Sequence, residues 1–443
     1  MVDVRPFRGL HYDPAVVGDL GAVVCPPYDV IDAADERRLL DRHPNNAVRL
    51  ELTTASVAGD PDERYARAAE MLRAWREQGV LVRDATPAFY LHEATFPLGE
   101  GTKTRRELIA AVGLAPWDRR VVLPHERTFD RPKADRLRLL EATATNLSPI
   151  LAFFRRDGSA AEAIEAAWRW TASQFPLGEG TDAEGVGHRL WELPAGDLAD
   201  NLTAFFADRP MFIADGHHRY ETALHYLETR QRQAGGDLPP DHPARFVLMH
   251  LIAEDDPGLV ILPLHRLLRG LRDLDRAALL DRLRASFEIE ERTIAPDATA
   301  EDLSRPLAER GTHGQAFGLY GPTPGAFALL THRAGQPLPA GIPPDRDPSW
   351  RALDVVLVDA TVVRPLIEER RLHAEDALDY TRDARDAAER VNARAVDLAV
   401  LVNPTRVEQV AAVARAGERM PEKSTYFYPK APTGLVFRLL SDE

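Results

Sequence analysis

Four chemically able side chains, Asp215, His217, His218 and Arg219, fall within five positions of one another. A carboxylate can hold a metal ion, an imidazole can move a proton near neutrality, and a guanidinium can fork onto a phosphate or carboxylate. The apolar run Met211–Ala214 leads into them and reads as a short buried strand. Gly216, inside the cluster, lets the backbone turn sharply or approach a ligand closely. Tyr220–Leu227 then reads as a helix, which places the polar cluster at a strand-to-helix turn. Helix N-termini present backbone N–H groups and the positive end of the dipole, a setting for anions. The plainer alternative is an N-cap with wet histidines and arginine on a helix face. Four such groups directly after a buried strand favour a site.

A second cluster is Leu123-Pro124-His125-Glu126-Arg127-Thr128, read at a strand end. It is not the helical zinc motif with two histidines four apart. Residues 119–138 hold seven basic and three acidic groups, a local balance of +4 in a chain of net charge -14. Such an island suits a phosphorylated ligand, although Asp135 and Arg138 also suit an ordinary ion-paired helix face. Lysine occurs only at positions 103, 133, 423 and 430. Lys133 in the island, and Lys423 and Lys430 around the aromatic run Tyr426-Phe427-Tyr428, are therefore candidate phosphate contacts, with snorkelling surface lysines as the alternative. Asp29, after Cys25-Pro26-Pro27-Tyr28, is either a pocket residue or an Asx-turn. His265-Arg266 is a further candidate for the phosphate pocket, whereas His188, His242 and His250 read as structural.

Composition narrows the function classes. Hydrophobic content of 44% and charged content of 28% are globular values, and 443 residues suggest two or three domains. No apolar run approaches the roughly 18 residues of a membrane helix, and Met1–Arg8 carries no secretory signal. The single cysteine, Cys25, reads as a small buried hydrophobe and fits a cytoplasmic setting. The acidic balance argues against nucleic acid as a partner. No Gly-x-x-x-x-Gly-Lys-Ser/Thr is present, so an ordinary P-loop is excluded.

Periodicity places the remaining elements. Helices are predicted over 62–78, 133–144 and 275–285, paired strands over 88–96 and 106–114 around a loop at 97–104, and a strand over 121–126. Further strands are predicted at 188–193, 246–252, 259–264 and 398–402, with a hairpin at 316–332 and a proline-rich spacer at 335–348. The fold class is mixed α/β, divided as a head (1–110), a core carrying both clusters (111–270) and a C-terminal α/β part (271–443).

Pro124-His125-Glu126 followed later by Asp215-Gly216-His217-His218-Arg219 resembles the motifs of free serine kinases, which have a ParB/sulfiredoxin-like fold. Adding Pro26–Ile31, Ile213–Tyr220 and Lys423–Lys430, the whole chain resembles domain-of-unknown-function family 1015. The kinase resemblance implies a ParB/sulfiredoxin-like core, ATP or ADP as nucleotide, and Mg²⁺ at Asp215. It also implies Glu126 as general base oriented by His125, Gly216 and His217 cradling phosphates, and Arg219 neutralising the transferred group. His218 is read as phosphate-binding or as the structural member of the pair. Three classes stay open: a small-molecule phosphotransferase acting on free serine or a related hydroxy amino acid, a nucleotide-binding regulator, and a phosphate-ester hydrolase. The partners expected are a nucleotide and a small substrate, with a homo-oligomer allowed and no membrane.

Overall fold

The computed structural model describes residues 2–52, 63–128, 130–158, 161–295, 298–333, 335–339 and 341–441. The predicted helix start at Asp62, Phe129, residue 340 of the spacer, and the side chains of Asp130, Arg131 and Pro132 lie outside the described residues. The chain forms two compact units, one made of residues 1–260 with 429–443 and the other of residues 261–428.

Residues of the first unit build a nine-stranded mixed sheet. Its strand order is Val122–Leu123, Met211–Asp215, Ile150–Phe154, Phe246–Ala253, Gly101–Gly113, Ala88–Leu98, Gly187–Pro194, Gly178–Thr181, with Val4–Arg5 on the Gly101–Gly113 strand. Successive residues of a strand point to opposite faces, and here both faces are covered. Ala88, Tyr90, Ile109, Ala111 and Leu248 share a core with Leu39, Tyr65, Leu72 and Trp75 of the helices Ala33–Arg42 and Glu63–Glu77. Phe89, Leu91, Leu108, Ala110, Met249 and Leu251 pack with Ile164, Leu202 and Phe205 of the helices Ala161–Thr171 and Asp197–Phe206. Each fully buried side chain of this size contributes about 1.5–3 kcal/mol. The central strands therefore read as near-continuous apolar runs rather than strict alternations.

The hairpin 88–113 is tighter than predicted. Pairing continues to Leu98 opposite Gly101, so the expected loop at 97–104 is mostly ladder. Gly99 makes the turn with φ 60°, a conformation open to glycine without penalty. The predicted strand at 121–126 shortens to Val122–Leu123, and the helix predicted from Tyr220 begins at His217 and runs to Ala234. The strand Gly101–Gly113 runs across the 110/111 limit drawn from the sequence.

After residue 428 the chain returns to the first unit. Phe437 pairs with Leu10, Thr433 with Cys25, and Arg438–Leu439 with Thr145–Asn146. Cys25 is buried, as its surroundings in the sequence suggested.

Residues of the second unit form a six-stranded antiparallel sheet in the order Phe287–Thr293, Ala326–His332, Ala316–Tyr320, Leu398–Val402, His265–Leu268, Leu378–Thr381. The helices Ala300–Gly311 and Ala384–Asn392 cover it through Leu303, Leu307, Ala387 and Val391. The predicted hairpin and the strand at 398–402 are both present. The whole is a mixed α/β protein, and no helix among the described residues is long and apolar enough to cross a membrane.

Candidate functional site

The strands Val122–Leu123 and Met211–Asp215 are parallel neighbours, with Met211 opposite Val122 and Phe212 opposite Leu123. Two parallel strands release their following residues at the same end of a sheet, where α/β proteins commonly bind ligands. Pro124-His125-Glu126 and Gly216-His217-His218-Arg219, some ninety residues apart in sequence, therefore meet.

The contact is through hydrogen bonds. The backbone N–H of His125 donates to His217 Nε2 at 3.2 Å. His217 consequently carries its hydrogen on Nδ1, 3.9 Å from Glu126 Oε2. The Nδ1–H of His125 donates to the Ile213 carbonyl at 2.8 Å, and its Nε2 lies 3.8 Å from Glu126 Oε1. The two rings meet edge to face at 4.7 Å. Both histidines are buried, while the Glu126 side chain keeps 33% of its exposure. The Glu126 carboxylate is thus flanked by two buried imidazoles and is itself only partly buried.

Gly216 supplies the bend. Its φ of 96° puts it in left-handed space, and as N-cap it offers no side-chain oxygen to the helix His217–Ala234. A Cβ at this position would lie 2.9 Å from Arg219 Nε. His217, His218 and Arg219 are the first three helical residues, so the helix dipole and first-turn N–H groups lie beside them.

Asp215 is buried between two cations. Arg219 holds its Oδ2 and Lys430 its Oδ1. Burial by itself would raise this carboxyl, but Lys430 and then Arg219 hold it well below the usual carboxylate range. Burial opposes the charge on Arg219 too, and Asp215 and Asp29 more than restore it. Arg219 also donates to the Pro149 carbonyl. His218 is pushed down by burial, with Asp29, Glu221 and Glu126 acting in the opposite sense.

The basic island is partly structural. Lys133 Nζ donates to Glu221 Oε2 at 3.1 Å, and Thr128 Oγ1 donates to the same oxygen at 2.5 Å. Glu221 therefore fastens the 124–128 loop and the helix Asp130–Thr143 to the helix carrying Arg219. Arg136 donates to Glu51 Oε2 at 2.8 Å and stacks 4.1 Å over Tyr28. Burial pushes Tyr28 up to about 12. The Pro26–Ile31 turn thus lies at the site, with Asp29 in electrostatic reach of His218 and Arg219.

Two sequence candidates belong to the second unit. Lys423 is exposed in the second unit, and His265-Arg266 is buried in that unit's sheet. The sequence does not reveal Lys430 as the partner of Asp215, Glu51 as that of Arg136, or Glu221 as that of Lys133 and Thr128. Only the scarcity of lysine pointed toward any of them.

A cavity of about 50 Å³ beside Arg219 is lined by Glu51, Arg136, Asn146 and Ser148. It has room for water but not for a nucleoside. A larger cavity of about 490 Å³ adjoins Leu91, Leu108 and Trp168 and includes none of the motif residues. Its polar lining, Glu93, Arg106, Arg156, Glu165 and Asp256, is charged as well, but it brings none of the motif histidines together.

No curated protein matches the chain. Among solved structures, a conserved hypothetical protein from Pyrococcus furiosus is 15% identical with a TM-score of 0.34, over 78% of this chain and 98% of its own. A free serine kinase in complex with AMP is 14% identical with a TM-score of 0.34, over 75% of this chain and 92% of its own. SbnI with a C-terminal truncation, from Staphylococcus aureus, is 13% identical with a TM-score of 0.34, over 76% of this chain and 90% of its own. Likeness at this level assigns no residue a role. The family is settled by sequence: residues 4–356 match the model of the protein family of unknown function DUF1015, and the chain belongs to that family.

Proposed function

We propose that the chain is a nucleotide-dependent phosphotransferase acting on a small hydroxyl-bearing substrate, with Glu126 as general base. The observation that carries this reading is the half-open Glu126 carboxylate, set between His125 and His217 at the first turn of an uncapped helix. A module that only bound phosphate would not need a base there. Phosphoryl transfer mainly needs positioning and charge neutralisation. His125 and His217 flank the carboxylate, the helix N-terminus and His218 receive nucleotide phosphates, and Arg219 and Lys430 supply positive charge.

ATP or ADP is the nucleotide of this proposal, and free serine or a related hydroxy amino acid is the acceptor. The acceptor rests on the resemblance of the two motifs to those of free serine kinases. Asp215 is the carboxylate assigned to Mg²⁺. Because Lys430 occupies its Oδ1, metal binding there requires that ammonium to move away.

The test is a ³¹P NMR assay of ATP, ADP and CTP against amino acids with the purified chain and Glu126→Gln. The amide keeps the shape and loses the basicity. Transfer should fall by about 10²–10⁴-fold while nucleotide binding by calorimetry persists. Undiminished transfer in the variant would remove Glu126 as base. Nucleotide consumption with no phosphorylated acceptor would identify a hydrolase, and binding without turnover a regulator.

A further inference from the structure

Away from the Glu126 site, four neighbouring strands of the first unit's sheet each place one titratable side chain on the same face. In spatial order these are His250, Glu107, His92 and His188. Glu107 and His92 lie directly opposite each other in the ladder. All four are buried, His92 and Glu107 completely. Donor atoms of His92, Glu107 and His250 lie within 4.8 Å of one another. That spread is close to the diameter of one ion's shell at metal–ligand lengths of about 2.0–2.2 Å.

We propose that His92 Nδ1, Glu107 Oε2 and His250 Nδ1 hold one divalent transition-metal ion, zinc by the character of the donors. Two imidazoles and a carboxylate, without thiolate, suit zinc and its first-row neighbours and are poor for magnesium or calcium.

The hydrogen bonds around the cluster supply an independent reason. His188 Nε2 meets Asp182 Oδ2 at 3.0 Å, His188 Nδ1 meets His92 Nε2 at 3.0 Å, and His92 Nδ1 meets Glu107 Oε2 at 2.9 Å. Carboxylates only accept, so both end contacts need a hydrogen on nitrogen. The contact between the rings needs a third. Two neutral imidazoles bring only two. A metal ion on His92 Nδ1 removes one requirement, and the count then closes. His92 Nε2–H donates to His188 Nδ1, and His188 Nε2–H donates to Asp182. Asp182 is itself held, its Oδ1 accepting from the N–H groups of Glu184 and Val186 at 2.9 and 2.8 Å.

The carboxylate end has the same character. Glu107 Oε2 faces His92 and also His250 Nδ1 at 2.5 Å, two nitrogens on one oxygen. Its Oε1 is buried without a hydrogen bond, although Arg105 Nη2 stands 2.6 Å away as an ion partner. A ligating histidine backed by a hydrogen-bonded acceptor, and a ligating carboxylate backed by a cation, form the outer support that metal sites commonly have. Burial makes this a structural tie across three strands, with His188 on a fourth as support.

The experiment uses the full chain, untagged and purified without chelator. Elemental analysis by mass spectrometry is expected to find about one zinc or similar ion per chain. Stripped protein titrated with Zn²⁺ or Co²⁺ should take up about one equivalent with a higher Tm. Cobalt absorption should be that of a four- or five-coordinate nitrogen/oxygen site. His92→Gln and His250→Gln should abolish stoichiometric uptake, and His188→Gln should weaken it about 10–100-fold. Glu126→Gln, at the other histidine–glutamate cluster, should leave uptake unchanged. Wild-type protein that neither retains nor takes up metal overturns the proposal. So does uptake that survives in folded His250→Gln or is lost in Glu126→Gln. If the histidine variants do not fold, X-ray absorption of the wild-type complex decides, since sulfur ligands or a number of imidazoles other than two would overturn the assignment.

Discussion

At the scale of single residues, Asp215 is the most constrained group in the candidate site. Its two oxygens are shared between Arg219 and Lys430, and all three side chains are at most 12% exposed. Removing one partner of a buried ion pair typically costs about 3–5 kcal/mol, because the other charge is left uncompensated. Lys430→Met should cost somewhat less, since Arg219 still balances Asp215. Asp215→Asn should cost as much or more, since it strands two cations. The double variant should recover part of the loss, which a double-mutant cycle in urea measures directly. The acid dependence follows from the same contacts. A carboxyl held below its ordinary 3.8 contributes stability that is present above pH 4 and lost as pH falls through its lowered value. Between pH 4 and 2, Asp215→Asn should therefore lose stability less steeply than wild type. How far this site was legible is clear from the lysines. Their scarcity singled out Lys423 and Lys430, but nothing in seven residues of sequence reveals that the change of unit falls at 428/429 between them.

Among the elements, Gly216 joins strand to helix in a conformation that disfavours any side chain. Gly216→Ala would place a side chain at φ 96° and 2.9 Å from Arg219 Nε. The backbone penalty is about 1–2 kcal/mol, and displacement of Arg219 adds to it. Lower Tm together with weakened nucleotide binding should result, and a variant with wild-type values for both would show that the close fit is not needed. In the second unit, His265 Nδ1 accepts the backbone N–H of Val402 at 3.2 Å and so must be unprotonated. Burial, then the neighbouring Arg266, pushes His265 down to about 4. Its contribution is intact above 6.5 and is lost as pH falls from 6.5 toward 4, at most about 1.4 kcal/mol per pH unit. His265→Gln should flatten that part of the urea stability profile. Strands with long apolar runs, such as 211–214, 246–252 and 398–402, were legible from residue pattern alone. The start of the helix at His217 was not, because its cap is Gly216 rather than Ser, Thr, Asp or Asn. Nor was the pairing of Val122–Leu123 with Met211–Phe212, a contact between short segments far apart in the chain.

For the whole molecule, the second unit interrupts the first. Composition suggests limits at 110/111 and 270/271, whereas the two units divide at 260/261 and again at 428/429. The second change could not be anticipated, since 429–440 shows no compositional break from what precedes it. Leu435, Val436, Phe437, Leu439 and Leu440 are all buried in the first unit. Five such side chains together contribute about 10 kcal/mol, comparable with the total stability of a typical domain. A chain ending at Tyr428 should therefore lose the fold of its first unit, while a chain in which a short flexible linker replaces 261–428 and 429–443 is kept should retain it. Hydrogen exchange over the strands 88–113 distinguishes the two outcomes.

The returning segment also orders events in time. Lys430 is made only after every residue of the interposed unit has been added, at about 5–20 residues per second. Until then Asp215 and Arg219 are without their third partner, and Leu10 and Cys25 await Phe437 and Thr433. The interposed unit can complete its own sheet before the segment 429–443 of the first unit has been made. The candidate site is thus assembled late, and a chain released early carries Glu126, His217 and Arg219 without the cation that completes them.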